Sequence, residues 1–263
     1  MEKGTIYLKL FGKLSLVFYK GEELVEITSD TKQNKMWKLL AFLICNRNVY
    51  YSKYKLYELL WDEKMVDDPA NSLKVLSHKL RNFLKKEGII PPGKKALVLE
   101  QGVYHWNKEI PCYTDADVLE DNDFKLRTAK DLNLTEEEKA VCYDKILAIY
   151  KGRFLNEFSE DWWVMPIQLR HQNIFIQNAL DYATLQLKKK NYGHVIEIAQ
   201  RVLECDTYNQ NAYVMLIKAF AEQNSYGNAV QVFRYATDIF HKEFGMPFMN
   251  TNSKRVLEEY LGA

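Results

Sequence analysis

The 263-residue sequence predicts a chain in two parts, mostly α overall: an α+β domain over residues 1–108, then an all-α helical-repeat domain over 109–263. Three observations predict it. Strand-like alternation opens the chain, and a hairpin pattern closes the first part. Three amphipathic helical patterns lie between them. A 34-residue period runs through the second part.

Alternating side chains cover residues 5–10, from Thr5 through Ile6, Tyr7, Leu8 and Lys9 to Leu10, and a second strand follows at 14–19. Gly12-Lys13 reads as a two-residue turn between them, and Lys20-Gly21-Glu22 as the next turn, before a third strand near 24–27. Met36, Leu39, Leu40, Leu43 and Ile44 then recur at three- and four-residue spacing, which places them on one face of a helix ended by Asn46-Arg47-Asn48. Ser52 is the expected N-cap of a second helix carrying Tyr54, Leu56, Leu59, Leu60 and Trp61. Residues 62–68 form an acidic loop, and Pro69 stands where a first helical turn tolerates proline.

The third helix, over residues 70–87, carries most of the functional information. Leu73, Leu76, Leu80, Phe83 and Leu84 make an apolar stripe for the core. The opposite face reads Asn71, Lys74, Val75, His78, Lys79, Arg81, Asn82, Lys85 and Lys86, without one acidic residue. A helix selected for solubility mixes signs and uses i,i+4 ion pairs. A face of one sign supplies long donors for phosphates and base edges, and a small apolar group for a thymine methyl. A plain solvated basic face is the competing reading. The charge balance points the same way: 19 Lys and Arg against 12 Asp and Glu in residues 1–108 is +7, and 17 against 23 in 109–263 is −6. A hairpin follows over 96–106, with Gln101-Gly102 at its tip. Sheet, three helices and terminal hairpin, in that order, make the architecture of a winged helix.

Residues 35–106 resemble the OmpR-type winged-helix domain in the variant found in bacterial antibiotic-regulatory activators. The resemblance rests on KMWKLLAFLICNRN, YSKYKLYELLW, NSLKVLSHKLRNFL and GVYHW, and within them on Leu60-Trp61, Asn71-Ser72 and Leu80-Arg81. Here the wing reads Gly102-Val103-Tyr104, one residue longer than the family's Gly-Tyr, and Lys79 stands where arginine is usual. Lysine lacks arginine's two-toothed contact to guanine, so site preference should differ. The resemblance implies a DNA-binding regulator, most simply an activator. Lys74, Val75, His78 and Lys79 would face base edges, and Asn71, Ser72, Arg81, Lys85 and Tyr104 would hold phosphates. Asp62, Glu63, Asp67 and Asp68 would form an activation surface toward RNA polymerase. A single winged helix covers little DNA, so a homodimer on double-stranded DNA is expected.

In the second part, residues 115–128 are polar and acidic and read as a connector. Thr135 followed by Glu136, Glu137 and Glu138 marks a helix start. Trp162 and Trp163 are expected to lock helices together. Tyr192-Gly193 and Tyr226-Gly227 lie 34 residues apart, the length of a TPR unit. Val195, Ile198, Ala199 and Val202 match Ala229, Val232, Phe233 and Ala236 in pattern. This stretch resembles the bacterial transcriptional activator domain that follows the winged helix in the same family. The likeness is carried by Tyr150-Lys151-Gly152-Arg153-Phe154-Leu155, by Trp162 followed by Arg170, by Glu243-Phe244-Gly245-Met246-Pro247, and by a strand over 113–118 containing Asp115-Ala116. The resemblance implies a TPR-like domain for dimerisation, or a groove for an effector or protein segment. A rival of a different class is a signalling adaptor whose winged helix has lost DNA binding, the departures at Ser77 and Lys79 being its support.

Several classes are excluded. No apolar run reaches the roughly 18 residues of a membrane span, and the opening residues lack a signal-peptide pattern, so a cytoplasmic protein is expected. Cys45, Cys112, Cys142 and Cys205 are scattered, which predicts reduced thiols and no metal site. The five histidines are dispersed, and no HExxH, GxSxG, GxGxxG or GxxxxGK[ST] pattern occurs, so neither an enzyme nor a cofactor is expected.

Overall fold

The computed structural model describes residues 4–61, 67–90, 93–246 and 248. In chain order its elements are β1 (Ile6–Lys9), β2 (Ser15–Lys20), β3 (Glu23–Thr28), α1 (Asn34–Cys45), β4 (Tyr51–Ser52), α2 (Lys53–Leu60), α3 (Pro69–Lys86), β5 (Leu97–Glu100), β6 (Val103–Trp106) and β7 (Cys112–Thr114). Helices follow: α4 (Asp115–Arg127), α5 (Glu136–Ile149), α6 (Val164–Lys188), α7 (Tyr192–Cys205), α8 (Gln210–Glu222) and α9 (Tyr226–Phe244). The fold is mostly helical, with its strands at the N-terminal end. Two compact units make it up, residues 1–121 with 149–171, and residues 122–148 with 172–263.

In the first unit, β3, β2, β1 and β7 form one sheet in that order, with β7 parallel to β1 and Tyr7 opposite Tyr113. This pairing carries the unit beyond the division expected at residue 108. The two-residue turn expected at Gly12-Lys13 is a longer connection over residues 10–14, and the reason is visible in its hydrogen bonds. The backbone N–H groups of Leu10 and Phe11 turn away from a hairpin and donate to the buried Asp115 carboxylate at 2.8–3.1 Å. The same stretch pairs with the Lys151–Leu155 motif: Leu155 N–H donates to Leu10 O at 2.7 Å and Gly12 N–H to Arg153 O at 3.3 Å, around an antiparallel Phe11–Phe154 bridge. A motif expected to serve the second half thus folds into the first unit.

That pairing is close enough to require glycine. Gly152 has φ +141, and a Cβ there would lie 3.3 Å from Gly12 Cα. Gly152→Ala should lower the unfolding free energy by about 1–3 kcal/mol in chemical denaturation. Gly227→Ala, with open space around it, should be neutral or stabilising by up to about 1 kcal/mol. Equal effects of the two changes would remove the close-approach explanation.

The expected polar connector over 115–128 is instead helix α4, and the expected strand over 113–118 stops at Thr114. Thr114 and Asp117 make a reciprocal cap: Asp117 N–H donates to Thr114 Oγ1 at 3.0 Å, and Thr114 N–H donates to Asp117 Oδ2 at 2.8 Å. The inward face of α4 is written in polar as well as apolar residues. Asp115, Asn122 and Asp123 are buried beside Ala116 and Leu119, so the helical period left no apolar stripe to read. Trp163 is buried and edge-on to Phe42 at 5.2 Å, as expected of a packing residue. Trp162 differs: it is 56% exposed, with Lys55 Nζ 4.3 Å from its ring centroid.

The second unit repeats with the expected period. Helices α7 and α9 begin 34 residues apart, at Tyr192 and Tyr226. The helix before each ends in the same turn. Lys190 and Asn224 adopt φ +60 and +58, and the next N–H groups reach back, Asn191 to Gln186 O at 2.9 Å and Ser225 to Phe220 O at 2.8 Å. Val195, Ile198, Ala199 and Val202 are buried, and so are Ala229 and Ala236, with Val232 and Phe233 partly buried. Thr135 and Glu138 form the expected capping box at the start of α5, at 3.1 and 2.8 Å. No helix among the described residues is long and apolar enough to cross a membrane.

Candidate nucleic-acid interface

Helix α3 is started by Asp68, whose carboxylate accepts from Asn71 N–H at 3.0 Å, and by Pro69 in its first turn. Leu73, Ser77, Leu80 and Leu84 are buried, while Leu76 and Phe83 are partly so. Phe83 meets Trp37 of α1 edge-on at 5.7 Å. Ser77 therefore belongs to the packed side; its Oγ is buried without a hydrogen-bond partner among the described residues. With that side anchored, Asn71, Lys74, Val75, His78, Lys79, Asn82, Lys85 and Lys86 all lie exposed.

The exposed face keeps its charge. Lys74, Lys79, Lys85 and Lys86 enter no ion pair among the described residues, in contrast to Lys20, Lys55 and Lys94, which meet Glu87, Glu58 and Glu109. Val75 is 60% exposed between the lysines and offers a methyl-sized apolar contact. Asn82 Nδ2 donates to His78 Nε2 at 2.9 Å, so the neutral imidazole carries its proton on Nδ1 and presents a donor. Lys85 and Lys86 in the last turn also face the negative end of the helix dipole, which favours cations there.

Beside α3 stands the hairpin of β5 and β6, with β4 completing its sheet. Gln101 and Gly102 at the tip have φ +48 and +82, both left-handed, which gives a two-residue turn matched to the strand twist. Arg81 Nε donates to Leu97 O at 3.1 Å and ties the helix to the hairpin. Helix plus hairpin fits a winged helix. Tyr104, expected on a phosphate, is largely buried. It points inward on β6, 8% exposed, with Trp106 also buried, and burial raises its hydroxyl pKa. Strand alternation turns residue 104 to the inner face.

Asp67 and Asp68 are exposed, although Asp68 is already engaged as the α3 cap. Asp62 and Glu63 lie outside the described residues. Sequence reasoning missed Lys94 and Lys95 as partners of α3. With His78, Arg81, Asn82 and Lys85 they line a cleft of about 330 Å³. The only sequence signal was their adjacency to Gly93, which does not specify the facing element. No group of His, Cys, Asp and Glu suited to a metal ion occurs among the described residues.

Residues 114–252 match the family model described as bacterial transcriptional activator domain, just over half of the chain. The match begins at Thr114, where β7 gives way to α4. Among solved structures the chain is similar to Mycobacterium tuberculosis EmbR, determined in complex with a low affinity phosphopeptide, with a TM-score of 0.71 and 17% sequence identity. The similarity covers 98% of this chain and 65% of that one, so this chain spans about two thirds of the length of EmbR in that structure. At such identity the likeness speaks for the fold. No curated protein matches the sequence.

Proposed function

The chain belongs to the bacterial transcriptional activator domain family, and from that premise we propose that it is a sequence-specific DNA-binding transcription regulator acting as an activator. The observation that carries this reading is the exposed face of α3: four lysines without ion-pair partners among the described residues, no acid on the face, and one exposed apolar side chain among them. Lys74, Val75, His78 and Lys79 face base edges in the major groove, while Asn71, Ser72, Arg81 and Lys85 set register on phosphates. Arg81 does so with its guanidinium already held by Leu97 O. The protein binds as a homodimer, and the acidic residues ahead of α3 face RNA polymerase.

Selection of genomic fragments by the purified protein tests this reading. Wild type should enrich a repeated half-site, and the double change His78→Ala with Lys79→Ala should lower affinity for it by roughly ten- to hundredfold. Retention of no DNA above non-specific binding near physiological salt would overturn the assignment.

A second reading, the adaptor, draws on the helical repeat. Helices α7, α8 and α9 line a groove of about 650 Å³ with Leu203, Tyr213, Leu216, Val232 and Tyr235. In the proposed regulator that groove receives an effector or protein segment. Tight binding of a protein segment by a chain with no DNA affinity would favour the adaptor.

A further inference from the structure

The cleft beside α3 has features that a DNA backbone does not require. Its volume of about 330 Å³ falls at the lower end of small-molecule sites. Arg81 and Lys85 line it from the helix, Lys94 and Lys95 from the segment before β5, and among the described residues no acidic residue takes part in the lining. Ile90 and Ala96, both buried, give it an apolar floor. A phosphodiester chain lying on a protein is held by cations and N–H groups and gains nothing from apolar surface beneath it. A small phosphate ester uses both, its phosphate on the cations and its carbon body on the floor.

The cations are also pre-arranged. With Arg81 Nε committed to Leu97 O, the guanidinium plane is fixed and its terminal N–H groups are left for an anion. Asn107 steadies the opposite wall, donating from Nδ2 to Lys95 O at 3.0 Å and from its backbone N–H to Ala96 O at 2.7 Å. Lys94 meets Glu109 at 3.2 Å, with side chains 41% and 70% exposed, and such a surface pair contributes little and exchanges easily for a phosphate. Lys85 and Lys95 have no ion pair among the described residues.

We propose that this cleft is an effector site for a small phosphate ester of mononucleotide size, and that its occupant competes with DNA for Arg81 and Lys85. The competition rests on the reading of α3 as the DNA-contacting helix; the binding of the ester does not. The site would supply a switch built directly into the DNA-binding face.

The test uses the full chain, with pyrophosphate and AMP as probes and sulfate at matched ionic strength as the control anion. Calorimetric titration should show both probes binding more tightly than sulfate. Lys94→Ala with Lys95→Ala should weaken them about tenfold or more. Lys74→Ala with Lys79→Ala, whose side chains lie outside the cleft, should leave probe affinity unchanged while weakening DNA. Bound duplex should be displaced by AMP at constant ionic strength, with a midpoint that follows the measured AMP affinity. Probe binding no tighter than sulfate, or binding undiminished in the Lys94, Lys95 variant, would overturn the site. Duplex bound through Lys74 and Lys79 but not displaced by AMP would overturn the competition and make DNA the source of the phosphate. Probe binding by a chain without DNA affinity would overturn the competition together with the DNA reading, and would leave the ester site supported.

Discussion

Asp115→Ala should lower the unfolding free energy by about 2–5 kcal/mol, the cost of leaving two buried N–H donors without an acceptor. The carboxylate receives Leu10 N–H on both oxygens, at 2.8 and 2.9 Å, and Phe11 N–H at 3.1 Å, all buried. Those residues also pair with the 151–155 motif, so the loss should spread to that contact. Asp115→Asn keeps the volume but turns an amide N–H₂ toward the donors, and should fall between wild type and alanine. Burial raises the Asp115 carboxyl to about 6, against the pull of its backbone hydrogen bonds in the other direction. The native state therefore holds this proton more tightly than the unfolded chain, where aspartate titrates near ~4. The stability contributed is full below pH ~4 and is lost as pH rises through about 6. Glu26 and Glu120, lowered by their partners, act in the opposite sense, so the informative quantity is the difference between wild type and Asp115→Asn. Urea unfolding from pH 4.5 to 6.5 should show that difference shrinking or changing sign as wild type deprotonates. Parallel pH profiles would mean that Asp115 does not titrate there, and an alanine loss under about 1 kcal/mol would sink the clamp.

DNA affinity should fall about a thousandfold near 0.15 M salt when Lys74, Lys79, Lys85 and Lys86 are all changed to alanine. In the proposed docking Lys85 lies on a phosphate with Lys86 next to it, and each releases close to one counterion, so the slope of log K against log salt should also become shallower by about 2, while Lys74 and Lys79 act through base edges. These side chains are exposed and enter no ion pair among the described residues, and alanine is a better helix former than lysine, so the helix should persist. Circular dichroism checks that point. Fluorescence anisotropy on a random duplex at several salt concentrations reads both quantities. A variant that keeps the wild-type slope would show that the face is only solvated. Val75→Ala should leave the slope alone and change only the preference among sequences, since it touches no phosphate.

The sequence alone determined whatever is local and periodic. The α3 stripe and its one-signed opposite face were legible because a 3.6-residue period sorts side chains onto two sides, and all eight exposed positions from Asn71 to Lys86 follow from it. Caps at Ser52 and Thr135 and the hairpin tip at Gln101-Gly102 were legible because each closes within four residues. The 34-residue repeat was legible because equal sequence makes equal turns, seen at Lys190 and Asn224. Tertiary structure decided what depends on partners far along the chain. It made a helix of residues 115–127, whose inward face includes Asp115, Asn122 and Asp123; Asp115 accepts from the Leu10 and Phe11 N–H groups and Asp123 from Asn178 Nδ2, partners far along the chain that no local period announces. It turned Tyr104, expected on a phosphate, largely inward on β6. It also set Lys94 and Lys95 across from Arg81 and Lys85, since a helix and the chain that returns beside it share no period that would announce their meeting.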